Sequence, residues 1–152
     1  MKDYFLKLLA FDHWTNVRLV QSMQTATTVP QRAKDLFNHL LATTRVWRSR
    51  MVGEMQDVEV WENFEAQDWP QLLDQNYQLM VGFLEQLEAA DFQRQVQYYN
   101  TKGVSYETLI SDILTHLIVH SGYHQGQIVS LIKPFLSTPP DLMYITYTRE
   151  KK

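Results

Sequence analysis

Residues 115–128 read THLIVHSGYHQGQI, and His116, His120 and His124 fall there at every fourth position. A helix advances about 100° per residue, so a step of four returns to nearly the same face and stacks the imidazoles one turn apart. Leu109, Ile113, Leu117, Ile128, Leu131 and Phe135 belong to the same stripe. The stretch therefore predicts a long amphipathic helix that carries three histidines on its core-facing side. Uncompensated polar groups there cost free energy. A hydrogen-bonded core histidine accounts for one such residue more readily than for three. Two imidazoles one turn apart have the geometry of two metal ligands. A third from a neighbouring helix completes a facial set for zinc, nickel, copper or iron and leaves positions open for water or substrate. His39, in the upstream FNHLLATTRVW, is the candidate for that third position.

What surrounds the histidines narrows the chemistry. A helical zinc peptidase needs glutamate directly after its first histidine, whereas Leu117 follows His116 and Ser121 follows His120. A di-iron centre needs Glu-x-x-His on two helices, and the chain contains no such segment. A bis-histidine haem site, with His39 opposing one of the other three, uses too few of the histidines to be preferred.

At 152 residues and 45% hydrophobic content the chain suits one domain with a proper core. Its 14 basic and 17 acidic side chains give a formal charge of −3 without a basic tract, so nucleic acid is not expected as a partner. Cysteine is absent, which excludes disulfides, thiolate ligands and a cysteine nucleophile; thiol chemistry would need a thiol from outside. The opening MKDYFLKLLAFDHW is interrupted by charge, and no long apolar run follows. Neither a signal peptide nor a membrane span is expected, and a cytoplasmic location is.

Four long helical patterns succeed one another. The first covers about residues 3–25. The second starts after Pro30 and ends near Glu54, and the short TATTVP between them predicts antiparallel packing of the pair. The acidic QDVEVWENFEAQ reads as a crossover rather than a tight turn. Asp68 is the expected N-cap of a third helix running through Leu87. FQRQVQYYNTKGVSYE alternates and then turns at Asn100 and Gly103, which predicts a short β-hairpin or an extended loop. Ser105 is the expected cap of the fourth helix, which ends near Phe135.

In the first helix the apolar face between Leu9 and Leu19 is interrupted by Asp12, His13 and Asn16, as if to line a cavity; alternatively Phe11, Trp14 and Val17 mark the buried side. In the second, Asp35 stands one turn before His39, where it can fix the imidazole's tautomer or form a plain surface pair.

The fourth-helix HLIVHSGYHQGQIVSLI, the upstream HLLATTRVW, the opening LLAFDHWTNVRL and the closing PPDLMYI together resemble the DinB/YfiT-like superfamily, in the expected order and over nearly the whole chain. The resemblance implies an all-α fold. This would be one four-helix bundle over residues 1–152 with an unusual connection order, a crossover between helices two and three, and a hairpin or extended loop before helix four. It also implies a divalent metal (zinc, nickel, manganese or iron) held by His39, His120 and His124, with His116 as a neighbour on the same face. Where the family usually has arginine after the last histidine this chain has Gln125, which removes a positive charge. Gly122 and Gly126 are expected to let another helix approach closely.

Characterised relatives include transferases that use low-molecular-weight thiols such as bacillithiol or mycothiol, and a mycothiol-dependent isomerase; others are known only as damage-inducible proteins. The resemblance thus implies a metal-dependent thiol transferase acting on a small molecule in detoxification or stress response. A non-catalytic metal- or ligand-binding bundle is the alternative. An open metal position lowers the pKa of a bound thiol or water, which fits the first reading. A homodimer is expected as well, with Trp61, Phe64 and Trp69 as outward apolar candidates.

Overall fold

The computed structural model describes residues 1–100 and 102–150, which are mainly helical with one small two-stranded sheet. Helices α1 (Lys2–Thr25) and α2 (Gln31–Val52) coincide with the first two sequence patterns. Pro30 precedes α2, and α2 stops at Gly53, whose φ of 74° is the left-handed conformation that closes helices. After the crossover, a 3-10 turn (Ala66–Asp68) leads into α3 (Trp69–Gln86). Strands β1 (Gln95–Tyr99) and β2 (Ser105–Leu109) form the hairpin. Helix α4 (Ile110–Ile132) follows without a loop, and a short α5 (Tyr144–Glu150) ends the described chain.

Several local expectations are corrected. Asp68 occupies the N-cap position of α3, but its side chain makes no capping bond; the 3-10 turn runs straight into the helix, and the Trp69 N–H is taken by the Ala66 carbonyl. Ser105 caps nothing. It pairs with Tyr99 in the antiparallel ladder, and α4 begins five residues later at Ile110, whose N–H donates to the Arg94 carbonyl at 3.1 Å. Helices α1 and α2, though joined by the short segment 26–30, are not side-by-side neighbours. Each packs against α3 and α4, so the two face one another across the core. The long crossover is what permits this, because it lets α3 return between them. Gly122 and Gly126 are exposed, and an added Cβ at either would meet nothing within 4 Å, so neither serves a close helix approach.

The core divides into two apolar clusters. One gathers Leu19, Phe37, Trp69 and Ile128; the other gathers Phe5, Met80, Phe92 and Ile113. Where its contributions to the two clusters meet, each long helix places polar side chains: Asp12, His13 and Asn16 on α1, His39 and Thr43 on α2, Asn76 on α3, and His120, Ser121, His124 and Gln125 on α4. The hydrophobic effect thus holds the two ends of the helical assembly shut and leaves a polar layer across its middle.

The crossover is tied to α2 by Asn38, whose Nδ2–H donates to the Phe64 carbonyl at 3.1 Å and whose Oδ1 accepts from Trp69 Nε1–H at 2.7 Å. Trp69 is therefore buried rather than outward, and Phe64 packs against the core, which leaves Trp61 as the exposed member of the three. Helix α5 has no counterpart in the sequence patterns. It docks on the far side of α1 through Phe11 and Trp14, both in ring contact with the buried Tyr147, while Arg18 pairs with Glu150 at 2.7 Å. Phe11 and Trp14 are thus half-buried beneath α5 and do not mark the buried side of α1, which carries Thr15 and Asn16.

The aromatic contact should dominate the docking of α5. Tyr147→Ala is expected to lower unfolding stability by about 3 kcal/mol, as truncating a buried aromatic does. Arg18→Ala, which breaks a solvent-exposed pair, should cost less than about 1 kcal/mol. Urea titrations of the two variants check the ranking, and the reverse order would assign the docking to the ion pair.

Candidate metal centre

Helix α4 delivers His120 and His124 from successive turns, and α2 delivers His39 from the opposite wall. Their Nε2 atoms converge: His39 to His120 is 3.1 Å, and His124 to His120 is 3.1 Å. One ligand atom from each of the three lies within 4.8 Å of the others, a set able to hold a metal ion. The resemblance therefore named residues that the fold brings together. His116 lies outside the set, with its ring 5.2 Å from that of His120.

Proton bookkeeping shows why this cluster suits a cation. His39 Nδ1–H donates to the Val60 carbonyl at 2.8 Å, and His124 Nδ1–H donates to Gln127 Oε1 at 2.7 Å. A neutral imidazole has one N–H, so the Nε2 of each of these residues carries a lone pair. Both lone pairs point at His120 Nε2, which can satisfy one of them as a donor but not both. A metal ion satisfies all three nitrogens. With metal–nitrogen bonds of about 2.0–2.1 Å, a spacing of 3.1 Å subtends slightly under ~100° at the ion, between octahedral and tetrahedral values. Haem does not fit, since its two axial ligands stand on opposite faces of a macrocycle and these three nitrogens crowd together.

The partner that orients His39 is not Asp35. That carboxylate accepts from Gln31 Nε2–H at 2.8 Å one turn back, while the crossover supplies the Val60 carbonyl. Trp61, the next residue, stacks on the His39 ring at 4.0 Å and 12°, shielding that face. Asn38 is the sequence signal for this arrangement, an amide placed beside a histidine on an apolar helix, but only the folded crossover reveals its purpose.

Burial favours the neutral form of His39 and His120. His120 is lowered to about 4, chiefly by burial and then by His124, His39 and His116, and His39 is lowered mainly by burial as well. Neutral imidazole is the ligating form.

Next to this cluster, α4 turns a second polar pair toward α1. Gln125 Nε2 lies 3.2 Å from Asp12 Oδ1, 2.8 Å from Thr15 Oγ1, 3.0 Å from Asn16 Oδ1 and 2.9 Å from Ser121 Oγ. Asn16 Nδ2–H also donates to Asp12 Oδ2 at 3.1 Å. Two amide hydrogens shared among four oxygens tie the helices together, but they supply no positive charge. Burial accordingly raises the Asp12 carboxyl to about 6, against the hydrogen bonds that favour its charged form.

Asp12, His13 and Asn16 do line a cavity, as their interruption of the apolar face predicts. It is a small one of about 30 Å³ that also touches Asn76 and His120. His13 approaches Asp74 at 3.3 Å through Nε2 and stacks on Tyr77. Its buried Nδ1, like Asn76 Oδ1, has no hydrogen-bond partner among the described residues, and the cavity has room for one or two waters to serve them. On the other side of His120 opens a cleft of about 390 Å³, bordered by His39, Trp47, Arg50, Tyr98, Tyr106 and His116.

A helical chain with three histidines converging beside an open cleft defines a class of protein able to bind a metal ion. Residues 4–151 match the profile of the DinB family, and the chain belongs to that family. A curated relative, Protein DinB of Bacillus subtilis (strain 168), is 23% identical, with 100% of this chain and 99% of that protein covered. No helix among the described residues is long and apolar enough to cross a membrane.

The uncompensated Asp12 generates a prediction with a definite sign. Its pKa is raised from 3.8 to about 6 on folding, so the unfolded chain ionises first and stability is lost as pH rises through that window. The gap corresponds to about 3 kcal/mol. Measured between pH 4 and pH 8, Asp12→Asn should gain that amount relative to the wild type, with the change concentrated near pH 4–6. A difference between the two proteins that is independent of pH would mean that Asp12 does not bear this burden.

Proposed function

We propose that this DinB-family chain is a metal-dependent transferase that joins a low-molecular-weight thiol to a small electrophile in detoxification or stress response. Its four long helices are read as the family's bundle, acting in the cytoplasm. The observation that carries the reading is the convergence of two oriented Nε2 lone pairs on a third imidazole, with the cleft directly alongside. His39, His120 and His124 would hold a divalent ion, which when bound lowers the pKa of a thiol or water at neutral pH.

The chain's own residues would do the remaining work. The Val60 carbonyl and Gln127 keep two ligand rings in the required tautomer. Trp61 covers one face of His39 and limits water there. His116 borders the cleft, and burial lowers its pKa. It would take the thiol proton on a ring nitrogen. Because the chain has no cysteine, the thiol must come with the substrate. Three protein donors beside a cleft favour this reading over a structural metal, which protein ligands normally enclose on four sides.

Elemental analysis of purified variants tests the centre. Alanine at His39, His120 or His124 should each strip most of the metal, whereas His13→Ala and His116→Ala should retain it, the latter with reduced turnover in a screen of thiols against electrophiles. Full metal content in His39→Ala protein would overturn the ligand set.

Acid should release the metal reversibly. Because burial lowers His120 from 6.5 to about 4, proton competition is deferred below the ordinary imidazole range and should act mainly between those values. Undiminished occupancy at about pH 3, below the whole window, would mean that histidines are not the ligands.

A further inference from the structure

Arg50 sits in the last turn of α2, where a cation complements the helix dipole even when it points into water. Here it does not simply project outward. Its guanidinium lies 4.7 Å from the Trp47 ring centroid and 4.9 Å from that of Tyr98, on the wall of the cleft that also contains His39 and His120. Tyr98 is in turn fixed by Trp47, at 4.8 Å and 77°, and by its cross-strand partner Tyr106, at 5.8 Å and 21°. The hairpin thus holds the guanidinium in place.

The other arginines of this helix are matched differently. Arg45 pairs with Asp57 and Arg48 with Glu54, both from the crossover side, and Arg32, at the opposite end of the helix, lies 5.4 Å from the Trp61 ring and does not line the cleft, whereas Arg50 lines it with no carboxylate among the described residues within ion-pair distance. One of its N–H groups reaches the Tyr99 carbonyl at 3.4 Å. A guanidinium has five N–H donors in a fixed plane, so most of the fork remains for a planar anion, flanked by aromatic walls. Gln125, which stands where the family usually has arginine, is buried against α1 and supplies no charge, so Arg50 is the cation that the cleft offers.

We propose that Arg50, steadied by Trp47 and Tyr98, is the anion-binding subsite of the cleft, and that the small molecule bound there carries a carboxylate next to an apolar or aromatic group. This deepens the preceding reading, since it takes the cleft beside the three histidines as the substrate's seat. Arg50 acts through binding and positioning, by a charge-assisted and where possible bidentate pair with the carboxylate. The aromatic rings accept the apolar part.

Benzoate and its neutral counterpart benzamide are suitable probes. Binding would be followed by calorimetry or tryptophan fluorescence on the full chain at pH 8, before and after dialysis against a chelator. Benzoate should bind about tenfold more tightly than benzamide, the effect of one charge-assisted contact, and added salt should erode the preference. Arg50→Gln should abolish it, and Arg50→Lys should retain only part, because the fork and the stacking are lost. Metal content should be the same in both variants.

Equal binding of the two probes by the wild-type chain would overturn the proposal without any variant. So would a preference that survives Arg50→Gln. A preference that disappears on chelation would place the anion on the metal instead of on Arg50, and would also refute it. Loss of metal from His39→Ala bears on the metal centre alone, because the Arg50-dependent preference is read equally well in chelated protein.

Discussion

The structure depends on how helix α4 disposes of the polar groups it carries into the protein's middle. His120 and His124 lie on one face and Ser121 and Gln125 on the next, about 100° round. Ser121 and Gln125 are buried and the two histidines half-buried, so each pair gains by meeting a partner helix. The histidines meet His39 on α2; Ser121 and Gln125 meet Asp12, Thr15 and Asn16 on α1. The positions of α1 and α2 on opposite sides of the core follow from this requirement as much as from apolar packing. The two hydrophobic clusters above and below supply the driving force, and the polar layer supplies the register.

The two polar pairs resolve their electrostatics differently. Around Gln125 all contacts are hydrogen bonds, and burial leaves the only ionisable member, Asp12, with a raised pKa that those bonds only partly offset. Around His120 the acceptors outnumber the donors. Two imidazoles already spend their protons on the Val60 carbonyl and Gln127, and the surplus lone pairs form a site for a positive ion. A hydrogen-bonded network of neutral groups would have needed one more proton than the three rings possess. That shortfall distinguishes a candidate metal centre from a cluster of satisfied core histidines.

The elements outside the four long helices are placed to serve this layer. The crossover, pinned by Asn38, returns Val60 and Trp61 to His39, and the hairpin lays Tyr98 and Tyr106 along the cleft. Since β2 runs directly into α4, the rim of the cleft and two of its histidines belong to one continuous segment. This couples the shape of the opening to the helix that would hold the metal.

Much of this was legible in the chain itself. A four-residue period of histidines within an apolar stripe, the proline before α2 and the alternation before α4 are local signals, because helix and strand geometry repeats over a few residues. The interruption of α1 by Asp12, His13 and Asn16 announced a cavity for the same reason. The capping roles of Asp68 and Ser105 were misplaced, since a 3-10 turn and a strand took the backbone groups those side chains would have served. Helix α5, the carbonyl that orients His39 and the guanidinium facing the cleft left no periodic trace. They depend on contacts between segments far apart in the sequence: Tyr147 with Phe11 and Trp14, Val60 with His39, Tyr98 with Arg50. The sequence by itself determined which helices form and which of their faces carry polar groups, because those are properties of neighbours one turn apart. Only the tertiary structure decided which polar groups meet, because a lone pair or a positive charge is satisfied by whatever the fold brings within about 3 Å of it.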